Sequence, residues 1–182
     1  MTTKLQRTRE LLLATALELF EHDGYEATTA ASIARAAGVS EMTFFRHFPA
    51  KELLLLDDPY DPLIAAAVRA QPRESAPLAR TIAGIRVAWG ELPIPDVESV
   101  RRRLRIAVDD PSLRPMISRN TAETERAIVE QLVADGADPI ESRIVAAAVL
   151  AAVMASLLEW ARADSGTLGD AVLRALSLLE TA

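Results

Sequence analysis

Apolar residues recur along this chain at three- and four-residue intervals, and almost nowhere at the two-residue interval of a half-buried strand. Leu12, Ala16, Leu19 and Phe20 mark one face of a first helix that ends near Asp23, where Gly24 is a natural C-cap. Thr28 and Thr29 are N-cap candidates for a second, short helix carrying Ile33, Ala34 and Ala37, and Gly38 closes it. Ser40 then caps a third helix holding Met42 to His47, which Pro49 stops. A fourth begins at Ala50 with Lys51.

The segment DDPYDP, residues 57 to 62, carries two prolines and three acids and predicts a boundary or hinge. The expected organisation is therefore all-α, with residues 1–56 as one domain and 57–182 as a second, helical one. Helix starts in the second are signalled by Asp61-Pro62, Ser75 with Pro77, Asp96, Ser112, Asp138-Pro139-Ile140-Glu141, and Thr167 with Asp170. The last helix keeps an unbroken stripe of Leu168, Ala171, Val172, Ala175, Leu176 and Leu179. The uncharged run from Ile144 to Leu158 covers 15 residues, short of the roughly 20 that span a bilayer, and reads as a buried helix.

Composition narrows the function. Half of the 182 residues are apolar, enough for a sizeable core. Without cysteine there are no disulfides, thiolate nucleophiles or zinc fingers, which fits a reducing cytosol. The N-terminus alternates charge with an amphipathic pattern rather than opening an apolar h-region, so a cytoplasmic protein without membrane association is expected. No catalytic set, glycine-rich phosphate loop or histidine pair at metal-ligand spacing stands out, so neither an enzyme, a cofactor nor a metal site is expected. The net charge of −6 disfavours a nucleic-acid partner taken over the whole chain. Residues 1 to 53, with six Lys or Arg and seven acids, are not basic either. Any DNA surface must be local, and Arg46, His47 and Lys51 do fall together.

The most informative stretch is TTAASIARAAGVSEMTFFRHFPAKELL, residues 28 to 54. Two short helices joined through Ala-Gly-Val-Ser make a helix-turn-helix, because glycine permits the sharp turn and small alanines permit close crossing. Over about residues 8 to 55 the chain resembles the DNA-binding domain of the TetR family of bacterial repressors. The resemblance is carried by Leu19-Phe20, Gly24-Tyr25, Thr28-Thr29, Ile33-Ala34, Gly38-Val39-Ser40, Phe48 and Lys51-Glu52-Leu53-Leu54.

That resemblance implies a double-stranded operator as partner and a set of contacts. Thr29 and Lys51 would meet phosphates at the starts of the second and fourth helices. Ser40, Glu41, Met42 and Thr43 would enter the major groove, with Glu41 accepting from cytosine N4, Thr43 serving several bases and Met42 touching a thymine methyl. Arg46 and His47, one turn later, suit phosphates, although His47 reads equally as a solvated helix end. Two positions depart from the family: Phe45 stands where a tyrosine commonly reaches a phosphate, and Met42 where glycine is frequent. Phe44, Phe45 and Phe48 read as packing residues rather than base-stacking ones.

The C-terminal layout, with a Trp in a middle helix, an Arg-rich helix and a closing Leu-Glu-Trp, is similar in texture to the acyl-CoA-type branch of the TetR family, in which mycofactocin-associated regulators sit. It implies a small-molecule effector with Arg102 and Arg105 beside an anionic head, though those arginines also read as a solvated face. Trp89, Met116, Met154 and Trp160, large and adaptable side chains spread over separate helices, are the candidate cavity walls and read equally as plain core. A homodimer is expected through Val145, Ala148 and Ala152 with Ala175, Leu176 and Leu179. A helical adaptor that binds protein rather than DNA is the alternative.

Overall fold

The computed structural model of the chain describes residues 3–56, 61–91, 96–163 and 165–181, with the backbone alone described at 56, 61, 62, 114 and 116. Among these residues every regular element is helical. Contacts divide the chain into two units: residues 1–57 with 98–116, and residues 58–97 with 117–182. The first unit thus takes a segment from the middle of the chain that no turn signal assigns to it. The DDPYDP segment falls largely outside the described residues.

In the first unit, α1 (Lys4–Asp23) starts from Thr3, whose hydroxyl accepts from the Gln6 N–H while the Gln6 side chain reciprocates, a capping box that the sequence reading missed. It buries Leu12, Ala16, Leu17 and Phe20. Next come α2 (Ala30–Ala36), α3 (Glu41–His47) and the single turn α4 (Leu53–Leu56). The inserted segment supplies α7 (Val97–Asp109), which buries Ile106 and Ala107, and a 3-10 turn at Pro111–Leu113. Asp110, not Ser112, caps that turn: its Oδ1 accepts from the Ser112 N–H at 2.9 Å and from the Ser112 hydroxyl at 2.7 Å.

The second unit is built from α5 (Asp61–Arg69), α6 (Pro77–Glu91), α8 (Arg114–Ala134), α9 (Pro139–Arg162) and α10 (Leu168–Glu180). Asp138 caps α9 through the Ile140 and Glu141 N–H groups, and Thr167 caps α10 through Asp170. Val68, Ile82, Ile85, Ile128, Leu132, Val149 and Leu176 meet in one apolar cluster drawn from all five helices. At its edge Arg80, almost wholly buried, donates to Asp135 Oδ2 at 2.8 Å and to the Val68 carbonyl at 3.3 Å. Gln131 donates to the same oxygen and Arg73 approaches Oδ1. The Arg80 and Gln131 hydrogen bonds hold the Asp135 carboxyl below its ordinary pKa.

Helix α9 is not the buried helix that its composition suggests. Its most apolar window has a mean hydropathy of 2.1, high enough and long enough to cross a membrane, yet only 33% of that window is buried. One flank packs on the core through Val145, Ala146, Val149 and Leu150, while Ile140, Ile144, Ala148, Ala151 and Ala155 stay exposed. The Ser156 hydroxyl donates to the Ala171 carbonyl at 2.7 Å and fastens α10 alongside.

Helices α5 and α6 cross at Gly84, where a Cβ would sit 2.6 Å from the Val68 Cα, closer than real atoms approach. Gly84→Ala is therefore expected to destabilise the protein by about 1–3 kcal/mol despite the better helix propensity of alanine. Gly90→Ala, on the same helix with nothing within 4 Å, should not lower the melting temperature. Equal melting curves for the two variants would contradict the close crossing.

Candidate nucleic-acid interface

The turn between α2 and α3 is fixed by backbone geometry. Gly38 has φ +68, a left-handed conformation that costs glycine nothing. The Val39 N–H reaches back to the Ala34 carbonyl at 2.9 Å and the Gly38 N–H to Arg35 at 3.1 Å, the paired bonds of a Schellman ending. Ser40 follows at once as the N-cap of α3, accepting from the Thr43 N–H at 3.2 Å. Helix direction therefore changes within four residues, and both helix ends are satisfied.

Helix α3 is anchored by one side. Phe44 is fully buried and its ring lies 6.1 Å from that of Phe48. At 100° per residue, Met42 and Arg46 point roughly 160° away from Phe44. Met42 is 81% exposed, Phe45 is 46% exposed and Arg46 is also exposed. Glu41, exposed in the first turn, complements the helix dipole. The Ser40 and Thr43 hydroxyls, 3.0 Å apart, bond to each other as well as to the helix start. The Thr29 hydroxyl likewise caps α2 through the Ser32 N–H, at an exposed position.

Lys51 has a structural task beside the phosphate contact that the resemblance implies. Its Nζ donates to the Tyr25 carbonyl at 2.8 Å and to the Thr28 carbonyl at 2.9 Å, and lies 3.9 Å from the centre of the Tyr25 ring. Burial pulls its pKa down and also pushes the Tyr25 hydroxyl well above its ordinary range. The lysine thus clamps the turn between α1 and α2. Arg9, not singled out from the sequence, does the same for α3: its Nη1 donates to the His47 carbonyl at 2.8 Å and its guanidinium stands 4.1 Å over the Phe48 ring. The partners lie 38 residues apart, so no local signal points to them. His47 itself has a lowered pKa, through burial and then the Arg46 and Arg9 charges. Arg46, with the exposed Lys4, Arg7 and Arg35, carries the charge available to phosphates.

The residues expected to line an effector cavity do not share one unit. Arg102 belongs to the first, where Nε and Nη2 grip both carboxylate oxygens of Glu21 at 2.7 and 2.6 Å. The Arg102 hydrogen bond holds the Glu21 carboxyl below its usual range, and Arg105 adds a smaller effect. Trp89, Met154 and Trp160 belong to the second unit; Trp89 packs on the core and Met154 is half-buried. Trp160 is buried, donates Nε1 to the Gly166 carbonyl at 3.1 Å and lines a groove of about 730 Å³ between α9 and α10. The Met116 side chain lies outside the described residues. Of the expected dimer residues, Val145 and Leu176 sit in the protomer's own core. Ala148 is exposed, and Ala152, Ala175 and Leu179 line the groove. No group of three or more His, Asp or Glu that could hold a metal occurs among the described residues.

Comparison with known proteins fits this geometry. Residues 12–57 match the model described as bacterial regulatory proteins of the tetR family, and residues 76–182 match the MftR C-terminal domain. The chain is 38% identical over 107 residues to the transcriptional regulator TcmR of Streptomyces glaucescens, covering 58% of this chain and just under half, 47%, of TcmR. It is 28% identical over 185 residues to the nucleoid occlusion factor SlmA of Vibrio campbellii, covering 88% and 87% of the two chains. Among solved structures it superposes on NalD, the secondary repressor of the MexAB-OprM multidrug efflux pump in Pseudomonas aeruginosa, with a TM-score of 0.60 and 25% identity over 98% of this chain and 96% of that one. TylP, a tetR regulator from Streptomyces fradiae, shares the fold at a TM-score of 0.53 and 21% identity, over 98% and 87%.

The clamp assigned to Lys51 has a direct check. Lys51→Met keeps the stem but leaves the Tyr25 and Thr28 carbonyls without their donor, and should lower unfolding stability by about 1–2 kcal/mol in urea. A variant as stable as wild type would mean that the ammonium is not held there and is open to phosphate.

Proposed function

This chain belongs to the TetR family of bacterial regulatory proteins, and on that premise we propose that it is a cytoplasmic, homodimeric transcriptional repressor that occupies a two-fold operator and leaves it when a small apolar or amphipathic effector binds. The observation that carries the DNA reading is the presentation of α3: a capped helix behind a fixed glycine turn, with Met42 and Arg46 exposed opposite its buried anchor and Phe45 exposed beside it. The full-length likeness to NalD supports repression.

The dimer reading rests on α9. An apolar flank this long would be costly if left in water, and a second copy laid against Ile140, Ile144, Ala148, Ala151 and Ala155 removes it. The small residues allow two α9 helices to approach closely, and α10 with the bordering groove completes a two-fold four-helix face. This moves the interface from Val145 and Leu176 to the neighbouring stripe. The effector reading rests on the match to the MftR C-terminal domain. Acyl-CoA belongs to the amphipathic class, but Arg102, which grips Glu21, is no anchor for its anionic head.

A gel-shift titration against DNA flanking the gene tests the proposal. Wild type should retard the duplex, and Arg46→Ala should weaken binding to all sequences alike and flatten the salt slope by about one unit per subunit. Ile144→Arg should give monomers in sedimentation and lose operator binding. If wild type retards no flanking duplex even at low salt, operator binding is wrong; if Ile144→Arg stays dimeric, the assigned face is wrong.

A further inference from the structure

The outward surface of α3 carries two apolar side chains, Met42 and Phe45, between the exposed Glu41 and Arg46. The Ser40 and Thr43 hydroxyls bond to each other, and the Ser40 oxygen also accepts from the Thr43 N–H at the start of the helix. Neither Met42 nor Phe45 offers a useful donor. Phe45 is also held in place, since its ring stands edge-on to the buried Phe44 at 5.3 Å and 84°. A thioether and a fixed ring side by side make a preorganised apolar patch in the middle of a polar groove.

In the major groove one apolar feature distinguishes the bases, the C5-methyl group of thymine. We propose that this protein recognises its operator chiefly through pyrimidine C5-methyl groups, with Met42 and Phe45 forming the methyl-binding patch. This rests on the operator-binding reading above and adds the chemistry that is read. Two consequences follow. Each half-site should hold a thymine at the point where Met42 meets the groove. A 5-methylcytosine placed there should bind better than cytosine, which makes operator occupancy sensitive to DNA methylation.

Deoxyuridine tests this cleanly, because it keeps the O4 acceptor and all pairing of thymidine and lacks only the methyl group. A duplex enriched by the wild-type protein from a randomised pool is prepared again with deoxyuridine in place of thymidine, one position at a time. Loss of a buried methyl is worth about fourfold in affinity, so wild type should bind about fourfold more weakly at each contacted position. Met42→Ala should bind the thymidine and deoxyuridine duplexes almost equally. Arg46→Ala should weaken both duplexes and preserve their ratio. Equal wild-type affinity for every deoxyuridine duplex overturns methyl reading while leaving operator binding intact. Full discrimination retained by Met42→Ala overturns the assignment to this patch. Recovery of no duplex from the pool overturns the operator reading itself.

Discussion

A helix of seven residues does not hold its shape in water, because too few hydrogen bonds offset the cost of nucleating it. The presentation of α3 therefore depends on the burial of Phe44, and most of the first unit can be understood as support for that anchor. Phe48 packs beside it and Arg9 closes over Phe48 while capping the His47 carbonyl. The glycine turn sets the angle at which α3 leaves α2, and Ser40 satisfies its first free N–H groups. Lys51 secures the preceding turn. What remains facing outward on α3 is Glu41, Met42, Phe45 and Arg46, so the surface offered to DNA is whatever the anchoring does not use.

The second unit answers a different constraint. Its helices need close crossings, which Gly84 provides where α6 meets α5, and its longest helix is apolar on nearly all sides. The core takes one flank of α9, Ser156 joins α10 to it, and the opposite flank of Ile140, Ile144 and small alanines is left for a partner. The buried Arg80–Asp135 pair with Gln131 sits at the edge of this packing, where each charge has several partners. Removing Asp135 would leave the buried Arg80 guanidinium without a counter-charge, whereas Asp135 keeps Arg73 if Arg80 is lost.

What the sequence made legible was governed by local rules. The caps at Ser40, Asp138 and Thr167 and the left-handed glycine at 38 depend on neighbours within a few residues, and all stand as read. The family resemblance was legible for the same reason, because its motif is one continuous stretch. Interactions across long separations were not. The carbonyl partners of Lys51 lie 23 and 26 residues away and Glu21, the partner of Arg102, is 81 residues distant, so no local pattern announces these bonds. The joining of residues 98–116 to the first unit has no sequence signature of its own. Of the expected α9 stripe Ala148 is exposed and Val145 is in the core, because a helix so apolar in its middle does not reveal which side faces the core.

The central claim is that α3 is one of two identical reading heads on a symmetric site. Hydroxyl-radical footprinting of wild-type protein on a duplex that it retards tests this most directly. The account predicts two protected patches related by a two-fold axis, with centres about 10–10.5 base pairs apart or a multiple of that. A single unsymmetric patch, or uniform protection along the duplex, would contradict it.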